Sequence, residues 1–503
     1  MIMKYISYSE MKAIDKNCEH LGLLPLQLME NAGAGVAQSI KEKLESGCVL
    51  FVAGRGNNGG DAFVAARQLA GLSAYKVKLI LLGKAFEIKT AEAARNFSLL
   101  KFTEVEVLEI RDADQLSVLD WFSKADLIVD AIFGTGLKGN LKNPESTAID
   151  LINKAGKTGK TIISVDLPSG FAPNGQDFEK AVRAELTVTF HRMKIELLHG
   201  KAKEYAGTVI VRDIGVCTGA ELYVGPGDLN RLYTRKQTGH KGDSGKILVI
   251  GGGPYSGAPA FCALAALKTG ADIVTVAVPE SIAGIVAAYS PNLIIRKLSS
   301  DVLCLKDLPL LLNLASSHDV VVMGIGLGKA AETLETVRKS LPACRKVVID
   351  ADGLSALAGS QIKDLAGNCK LIVTPHAGEF SHLLGKEELP EDQKAREKVV
   401  KKFSEENGVV TLLKGKLDII SDGKQTILNR TGNAGMTVGG TGDVLTGITG
   451  TLFAKNSAFL AACCAAYING SAGDLAFEEA GNGLLATDVL RKIPEIIKKY
   501  NIG

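Results

Sequence analysis

Short, nearly continuous apolar runs recur along the chain, each followed by a glycine-bearing turn and a stretch whose apolar positions repeat at helical spacing. Runs without polar alternation predict strands buried on both faces, and strand alternating with helix predicts a parallel sheet between helical layers. In the first part the predicted strands are CVLFVAG (48–54), YKVKLILLG (75–83), DLIVDAIFG (126–134), TIISVDLPSG (161–170), LTVTFHR (186–192) and TVIVRDIG (208–215). The pattern breaks over 217–245, where turn dipeptides and mixed polarity replace periodicity. That segment reads as a linker, with the boundary near residue 220. A second series follows: KILVIGGG (246–253), DIVTVAVP (272–279), DVVVMGIG (319–326), KVVIDADG (346–353), KLIVTPHAGEF (370–380), VVTLLKG (409–415) and LDIISDG (417–423). The expectation is α/β throughout, with one domain over 1–220 and a second over 221–503.

A chain of 503 residues is too long for one ordinary core, which fits two domains in series. The net charge of +3 is close to balance and points to no nucleic-acid partner. Nine cysteines contain no C-x-x-C pair and several lie in apolar runs, so they read as buried free thiols of a reducing compartment. The N-terminal stretch lacks the apolar core of a signal peptide, and no apolar run is long enough for a bilayer. A cytoplasmic protein without a membrane partner is expected.

In open parallel sheets ligands collect beyond the carboxyl ends of the strands, and the candidate chemistry falls there. After the first strand, Gly54-Arg55-Gly56-Asn57-Asn58-Gly59 matches G-x-G-x-x-G, but the acidic ribose reader expected after LILLGK is missing. An ordinary dinucleotide site is therefore disfavoured. The core Asn57-Asn58-Gly59-Gly60-Asp61 instead offers amides, backbone N–H groups and carbonyls around a small volume, with Asp61 as helix cap or ligand. A capped βα turn would explain this motif alone. Two further tips join it: Asp130 followed by the loop Gly134-Thr135-Gly136-Leu137-Lys138-Gly139-Asn140, and Asp166 with Ser169. Asn58, Asp130 and Ser169 form an oxygen set suited to a hard cation, and Asp166 is the candidate acid and base. There is no H-E-x-x-H and no Cys/His cluster for a transition metal.

In the second half GGTGD opens a helical stretch. The N–H groups of Gly440, Thr441 and Gly442 suit charge developing on a transferred phosphoryl group, and Asp443 stands where a base would take the proton of an attacking hydroxyl. No P-loop is complete, since Lys154 stands where the motif ending at Gly159-Lys160-Thr161 needs glycine, and His240 where that ending at Gly245-Lys246 needs it. Lys414-Gly415-Lys416 ends a strand and has the character to reach a nucleotide phosphate. His376 and Glu379 mark another strand end, where a structural histidine is as good a reading as a ligand.

The order GRGNNGGD, DAIFGTGLKGN, VDLPSG, HKGDSGKILVIGG, GIGLG, DADGL, TPHAGEF, LLKGK and GGTGDVLTG resembles that of the bifunctional NAD(P)H-hydrate repair enzymes over essentially the whole chain. The resemblance implies a Rossmann-like NAD(P)HX epimerase domain followed by a ribokinase-like, ADP-dependent NAD(P)HX dehydratase domain. It implies hydrate contacts at Asn57 to Asp61, Gly134 to Asn140 and Asp166, and K+ at Asn58, Asp130 and Ser169. In the second half it implies hydrate contacts at Ala258, Gly326, His376 and Asp443, and adenine-nucleotide contacts at Lys414, Gly415, Lys416, Leu417, Asp418 and Gly442, with Mg2+ accompanying ADP. It also implies a homo-oligomer. Ala377 stands where the family often has proline, and Asp418 where it often has threonine; an acid facing a phosphate would repel it. The competing reading is a ribokinase-like kinase for a stable small alcohol, with the first half a ligand-binding module.

Overall fold

The computed structural model describes residues 5–134, 141–171, 178, 180–198, 201–235, 238, 240–386 and 388–500. Two compact units divide the chain, one up to Ala220 and one from Glu221. Of the expected site residues, Thr135, Gly136, Leu137, Lys138, Gly139 and Asn140 lie outside the described residues.

The first unit is built on seven parallel strands: β1 (Gly47–Ala53), β2 (Tyr75–Leu82), β3 (Glu106–Ile110), β4 (Leu127–Ala131), β5 (Thr161–Val165), β6 (Leu186–Phe190) and β7 (Thr208–Arg212). Their order is β3-β2-β1-β4-β5-β6-β7. Along β1 the side chains alternate between two cores: Val49, Phe51 and Ala53 face one, Leu50 and Val52 the other. A strand buried on both sides reads as an unbroken apolar run, which is why its sequence was legible. β3 was not expected. It is an edge strand, its glutamates leave no continuous apolar run, and charge on an edge discourages pairing with other chains. The strand order reverses between β1 and β4, opening a crevice above their carboxyl ends. Helix α1 (Asn57–Ala70) follows β1 at that edge.

The second unit carries a nine-stranded sheet: β8 (Lys246–Ile250), β9 (Ile273–Val278), β10 (Ile294–Lys297), β11 (Val320–Met323), β12 (Lys346–Ile349), β13 (Lys370–Val373), β14 (Val410–Leu413), β15 (Asp418–Ser421) and β16 (Thr426–Asn429). The order is β10-β9-β8-β11-β12-β13-β14-β15-β16. The sheet is parallel as far as β14, and the last two strands run antiparallel. This corrects the expectation of a parallel sheet throughout. Only Lys414 to Leu417 separate β14 from β15, far too few residues for a parallel crossover. On one face lie helices α2 (Gly257–Thr269), α4 (Thr441–Lys455) and α5 (Ala458–Ala480); α3 (Ala377–Leu384) follows β13. α2 and α4 meet closely because Gly447 has no side chain, and a methyl there would stand 2.1 Å from the Cys262 carbonyl oxygen. Among the described residues no helix is long and apolar enough to cross a membrane.

Candidate functional site

Each unit gathers side chains at the carboxyl edge of its sheet. In the first, α1 follows β1 with Gly56 as its N-cap. Asp61 is therefore not the cap. It lies a turn inside the helix and is 8% exposed; burial, then the nearby Asp166 and Asp15, push its carboxyl well above the usual range. Gly59 cannot carry a side chain, since a methyl there would stand 2.0 Å from the Gly54 carbonyl oxygen, while one on Gly60 would press on the end of the Met29 side chain at 2.6 Å. Asn57 accepts a hydrogen bond from Thr90 Oγ1 at 2.8 Å.

Asn58, Asp130 and Ser169 come together at the tips of β1, β4 and β5. Asn58 Nδ2 donates to the carbonyls of Phe133 (3.0 Å) and Val165 (2.8 Å), and a methyl on Gly134 would lie 2.8 Å from Asn58 Oδ1. Asp130 is fully buried; its Oδ2 accepts from Ser164 Oγ and from the Ser169 N–H, both at 2.8 Å. Ser169 Oγ accepts from the Phe133 N–H at 2.9 Å. Burial raises the Asp130 carboxyl, and the hydrogen bonds from Ser169 and Ser164 oppose that rise.

Asp166 follows β5 in the left-handed region (φ 59°), a conformation that costs a non-glycine residue about 1–3 kcal/mol and gathers at functional sites. Its Oδ1 accepts from Thr189 Oγ1 at 2.9 Å and lies 3.7 Å from Lys194 Nζ. Lys194 is 1% exposed, its ammonium also donating to the carbonyl of Phe190 at 2.6 Å. Burial lowers the Lys194 pKa, while Asp166 and Asp15 pull it back up. Asp15 itself is pushed up to about 6, by burial first and with Lys194 opposing. Tyr8 donates its hydroxyl to the Asp166 carbonyl at 3.1 Å. Sequence reading missed Tyr8, Asp15 and Lys194. They come from an N-terminal helix (Tyr8–His20) and a two-residue strand (Met193–Lys194), neither of which carries a glycine motif.

In the second unit Gly440 caps α4 with φ 98°, and a methyl there would press on Phe261 at 3.0 Å. Asp443 sits in the first turn of α4, where burial, then the charge of Asp350, raise its pKa to about 7 while Lys414 pulls it down. Lys414, at the end of β14, lies 2.8 Å from Asp350 Oδ1 and 4.0 Å from Glu379 Oε2. Burial works against the Lys414 charge, but Asp350, Glu379 and Asp443 together hold its pKa above the ordinary lysine value. Gly442 lies alongside, since a methyl there would stand 3.5 Å from Lys414 Nζ.

His376 caps α3. Its Nδ1 accepts from the N–H groups of Gly378 (3.0 Å) and Glu379 (3.2 Å), while Glu379 Oε2 accepts from the His376 N–H. The accepting Nδ1 puts the proton of the neutral ring on Nε2, and the ring remains 61% exposed. It is thus both a structural cap and available at the surface. The Pro375 carbonyl accepts from the Lys414 N–H at 2.8 Å, which joins the His376 turn to the Lys414 segment. Ala258 and Gly326 adjoin, a methyl on Gly326 falling 3.2 Å from Ala258 Cβ. Cys262, one turn further along α2, is raised by burial and then by Asp443 and Asp350. Gly415 and Lys416 are exposed and Leu417 is half-buried. The Asp418 carboxylate is taken up within the segment: Oδ1 accepts from the Gly415 N–H at 3.0 Å and Oδ2 from Asn429 Nδ2 at 2.9 Å. Burial lifts it to about 6.

Residues 247–495 match the family described as NAD(P)H-hydrate dehydratase, and residues 25–195 the family described as YjeF-related protein N-terminus. The bifunctional NAD(P)H-hydrate repair enzyme of Archaeoglobus fulgidus is 44% identical over 98% of this chain and 99% of its own. This chain belongs to the bifunctional NAD(P)H-hydrate repair enzymes. Those of Pyrobaculum aerophilum and Methanothermobacter thermautotrophicus are 43% and 41% identical, over 99% and 97% of this chain and 99% and 94% of theirs. In this repair enzyme the second unit carries the dehydratase match and the first unit the YjeF-related one. Asp350 and Thr446, which share a 2.7 Å hydrogen bond beside Lys414, were not among the predicted residues. Asp350 had a visible signal, for like Asp130 and Asp166 it is an aspartate at the tip of a parallel strand.

Proposed function

We propose that this repair enzyme restores hydrated nicotinamide cofactors, NADHX and NADPHX, in two steps. The first domain, 1–220, interconverts the R and S epimers. The second, 221–503, dehydrates the S epimer with ADP, releasing AMP, phosphate and NAD(P)H. The observation that carries the second step is Asp443, lifted to about 7 at the mouth of α4 with Gly442 and Lys414 beside it. A carboxylate poised near neutrality suits a general base.

Hydroxide is a poor leaving group. Asp443 accepts the proton of the C6 hydroxyl as its oxygen attacks the β-phosphorus of ADP and AMP departs; phosphate then leaves C6 as the C5 proton is lost. The N–H groups opening α4 stabilise charge on the transferred phosphoryl group, and Lys414 binds the nucleotide phosphates. Ala258, Gly326 and His376 contact the hydrate; Gly415, Lys416, Leu417, Asp418 and Gly442 frame the nucleotide. Mg2+ accompanying ADP would supply positive charge against the phosphates.

In the first domain the C6 carbon inverts by losing hydroxide to an iminium and regaining water on the opposite face. Asp166 protonates the leaving oxygen and then takes the proton of the returning water. Its strained backbone and its hydrogen bond from Thr189 fix it for that role. Asn57 to Asp61 and Gly134 to Asn140 bind the hydrate. K+ suits Asn58, Asp130 and Ser169, because the donors are all oxygen and the buried Asp130 has no cationic partner among the described residues. When bound it supplies positive charge that organises the surrounding loops. The reading includes a cytoplasmic homo-oligomer, which light scattering on the purified chain tests.

The kinase alternative is not favoured, since relatives matching both halves are named for hydrate repair. The test is an epimer mixture of NADHX with the protein, ADP, Mg2+ and K+, followed by dihydronicotinamide absorbance. Recovery of both epimers is expected. Recovery that stops at one epimer removes the epimerase reading, and none with ADP or ATP removes the dehydratase reading. Unchanged epimer exchange in Asp166→Asn would take Asp166 out of the mechanism.

A further inference from the structure

We propose that Asp350 is a positioning residue of the dehydratase site, holding Lys414 toward the nucleotide phosphates and away from Asp443 so that the base stays free. The proposal rests on the dehydratase reading for its activity assays, and on nucleotide binding alone for a second, independent arm.

Asp350 stands just past β12 and is 2% exposed. Both of its oxygens are committed: Oδ1 to Lys414 Nζ at 2.8 Å and Oδ2 to Thr446 Oγ1 at 2.7 Å. Buried and spoken for, it acts through its neighbours and does not touch the substrate. The two groups it holds come from different parts of the fold, Lys414 from the end of β14 and Thr446 from α4, one turn beyond Asp443. A single carboxylate therefore joins the phosphate-binding lysine to the helix that presents the base. The single Thr446 hydroxyl hydrogen is shared, since Oγ1 also lies 2.9 Å from the Gly442 carbonyl oxygen, a second acceptor in the glycine turn.

The charges explain why the tie is needed. Lys414 is faced by Asp350, Glu379 and Asp443, and Asp418 also feels its charge. Asp443 is faced by Asp350 and Lys414, with Cys262 of α2 nearby, its thiol kept neutral by burial. Lys414 has three N–H donors, and Asp350 fixes one of them, leaving the others for phosphate oxygens. Without the Asp350 charge, the strongest remaining partners of the lysine are Glu379 and the base. A lysine paired with Asp443 lowers the affinity of that carboxylate for protons and leaves the phosphates unheld. Asp350 also acts directly on Asp443 as a like charge that raises its pKa.

The experiment compares full-length wild type, Asp350→Asn, Asp350→Glu and Thr446→Val. Dehydration of S-NADHX is followed across pH, and ADP and ATP binding is measured separately by calorimetry. Epimer exchange serves as an internal check on the chain. In Asp350→Asn the KM for ADP rises and kcat falls, each at least about tenfold, the change one pKa unit corresponds to. The acid limb of kcat moves to lower pH, a displacement that loosened packing alone does not produce. Asp350→Glu, which keeps the charge, holds the acid limb near the wild-type position although its rate is reduced. Thr446→Val raises the KM for ADP in the same direction by a smaller factor. Wild-type KM, kcat and acid limb in Asp350→Asn overturn the proposal. Should Asp350→Asn fail to fold, an unchanged KM for ADP in Thr446→Val overturns it instead. If wild type binds ADP but does not dehydrate the hydrate, the functional reading fails by itself; calorimetry still decides, with equal affinity in wild type and Asp350→Asn counting against Asp350. Wild type that binds neither nucleotide overturns both.

Discussion

Asp130 and Asp350 occupy equivalent places in two different sheets, each a buried aspartate at the carboxyl tip of a central parallel strand. Their surroundings differ in one respect. Asp130 is held by dipoles, the Ser164 hydroxyl and the Ser169 N–H, and has no ionic partner among the described residues. Asp350 is held by a dipole, the Thr446 hydroxyl, and by a full positive charge on Lys414. Dipoles alone leave part of the desolvation of a carboxylate uncompensated, and the Asp130 carboxyl is raised accordingly. The first site is thus suited to a cation from solution, while the second carries its own. In the proposed reaction the built-in cation has a second use, because a lysine on a flexible stem can serve an incoming phosphate as well as its structural partner.

This contrast can be broken in several ways. The largest effect concerns what the built-in charge network serves. Asp443→Ala should cut the rate of dehydration by about 10²–10⁴-fold, the usual worth of a positioned base, while epimer exchange continues. In the wild type the same rate should fall as pH drops below about 7, because the carboxylate raised to that value becomes protonated. An unperturbed aspartate would hold the rate down to about pH 4. A flat profile between pH 5 and 8, with dehydration chemistry limiting, would remove Asp443 as the base.

Next comes the internal cation. Lys414→Met leaves Asp350 buried without its counter-charge, and the second unit should lose about 3–5 kcal/mol in denaturant unfolding followed by a probe confined to it. Stability equal to wild type would mean that the pair contributes nothing net. The external cation should have a smaller effect, about 1–3 kcal/mol at concentrations well above its dissociation constant. Exchanging K+ for choline should lower the melting temperature of the first unit, and Asp130→Asn should abolish that difference. A K+ effect surviving in Asp130→Asn would place the cation elsewhere. The smallest change tests Asp418, the acid of the segment proposed to frame the nucleotide. Asp418→Ala frees the Gly415 N–H, and the KM for ADP should rise about two- to tenfold, the worth of one hydrogen bond. A fall in KM would show that the carboxylate opposes the phosphate.

Much of this was legible along the chain. Central strands declared themselves as unbroken apolar runs, because burial on both faces leaves no polar positions. In the two large sheets the strands that escaped, β3, β10 and β16, are edge strands. One side of an edge faces solvent or a loop, so the apolar signal is diluted. Asp443, Asp166, Asn58, Asp130, Ser169 and Lys414 could be named because each sits in or beside a glycine motif at a strand end. Tyr8, Asp15 and Lys194 could not, since nothing local marks a residue whose importance comes from a partner distant in sequence. Asp61 was placed as a possible cap, but the helix begins earlier, at Asn57, and turns its carboxyl into the interior.

The sequence by itself determined the α/β class, the succession of two units and the edge of each sheet where the candidate residues gather. Those follow from local rules, since periodicity reports burial and glycine reports close backbone approach. Only the tertiary structure decided how the charges are shared: that Lys414 belongs first to Asp350, that Asp418 is turned inward to Gly415 and Asn429, and that Asp166 lies against a buried lysine. Coulomb energies depend on distance and desolvation, and neither is written in the order of residues along a chain.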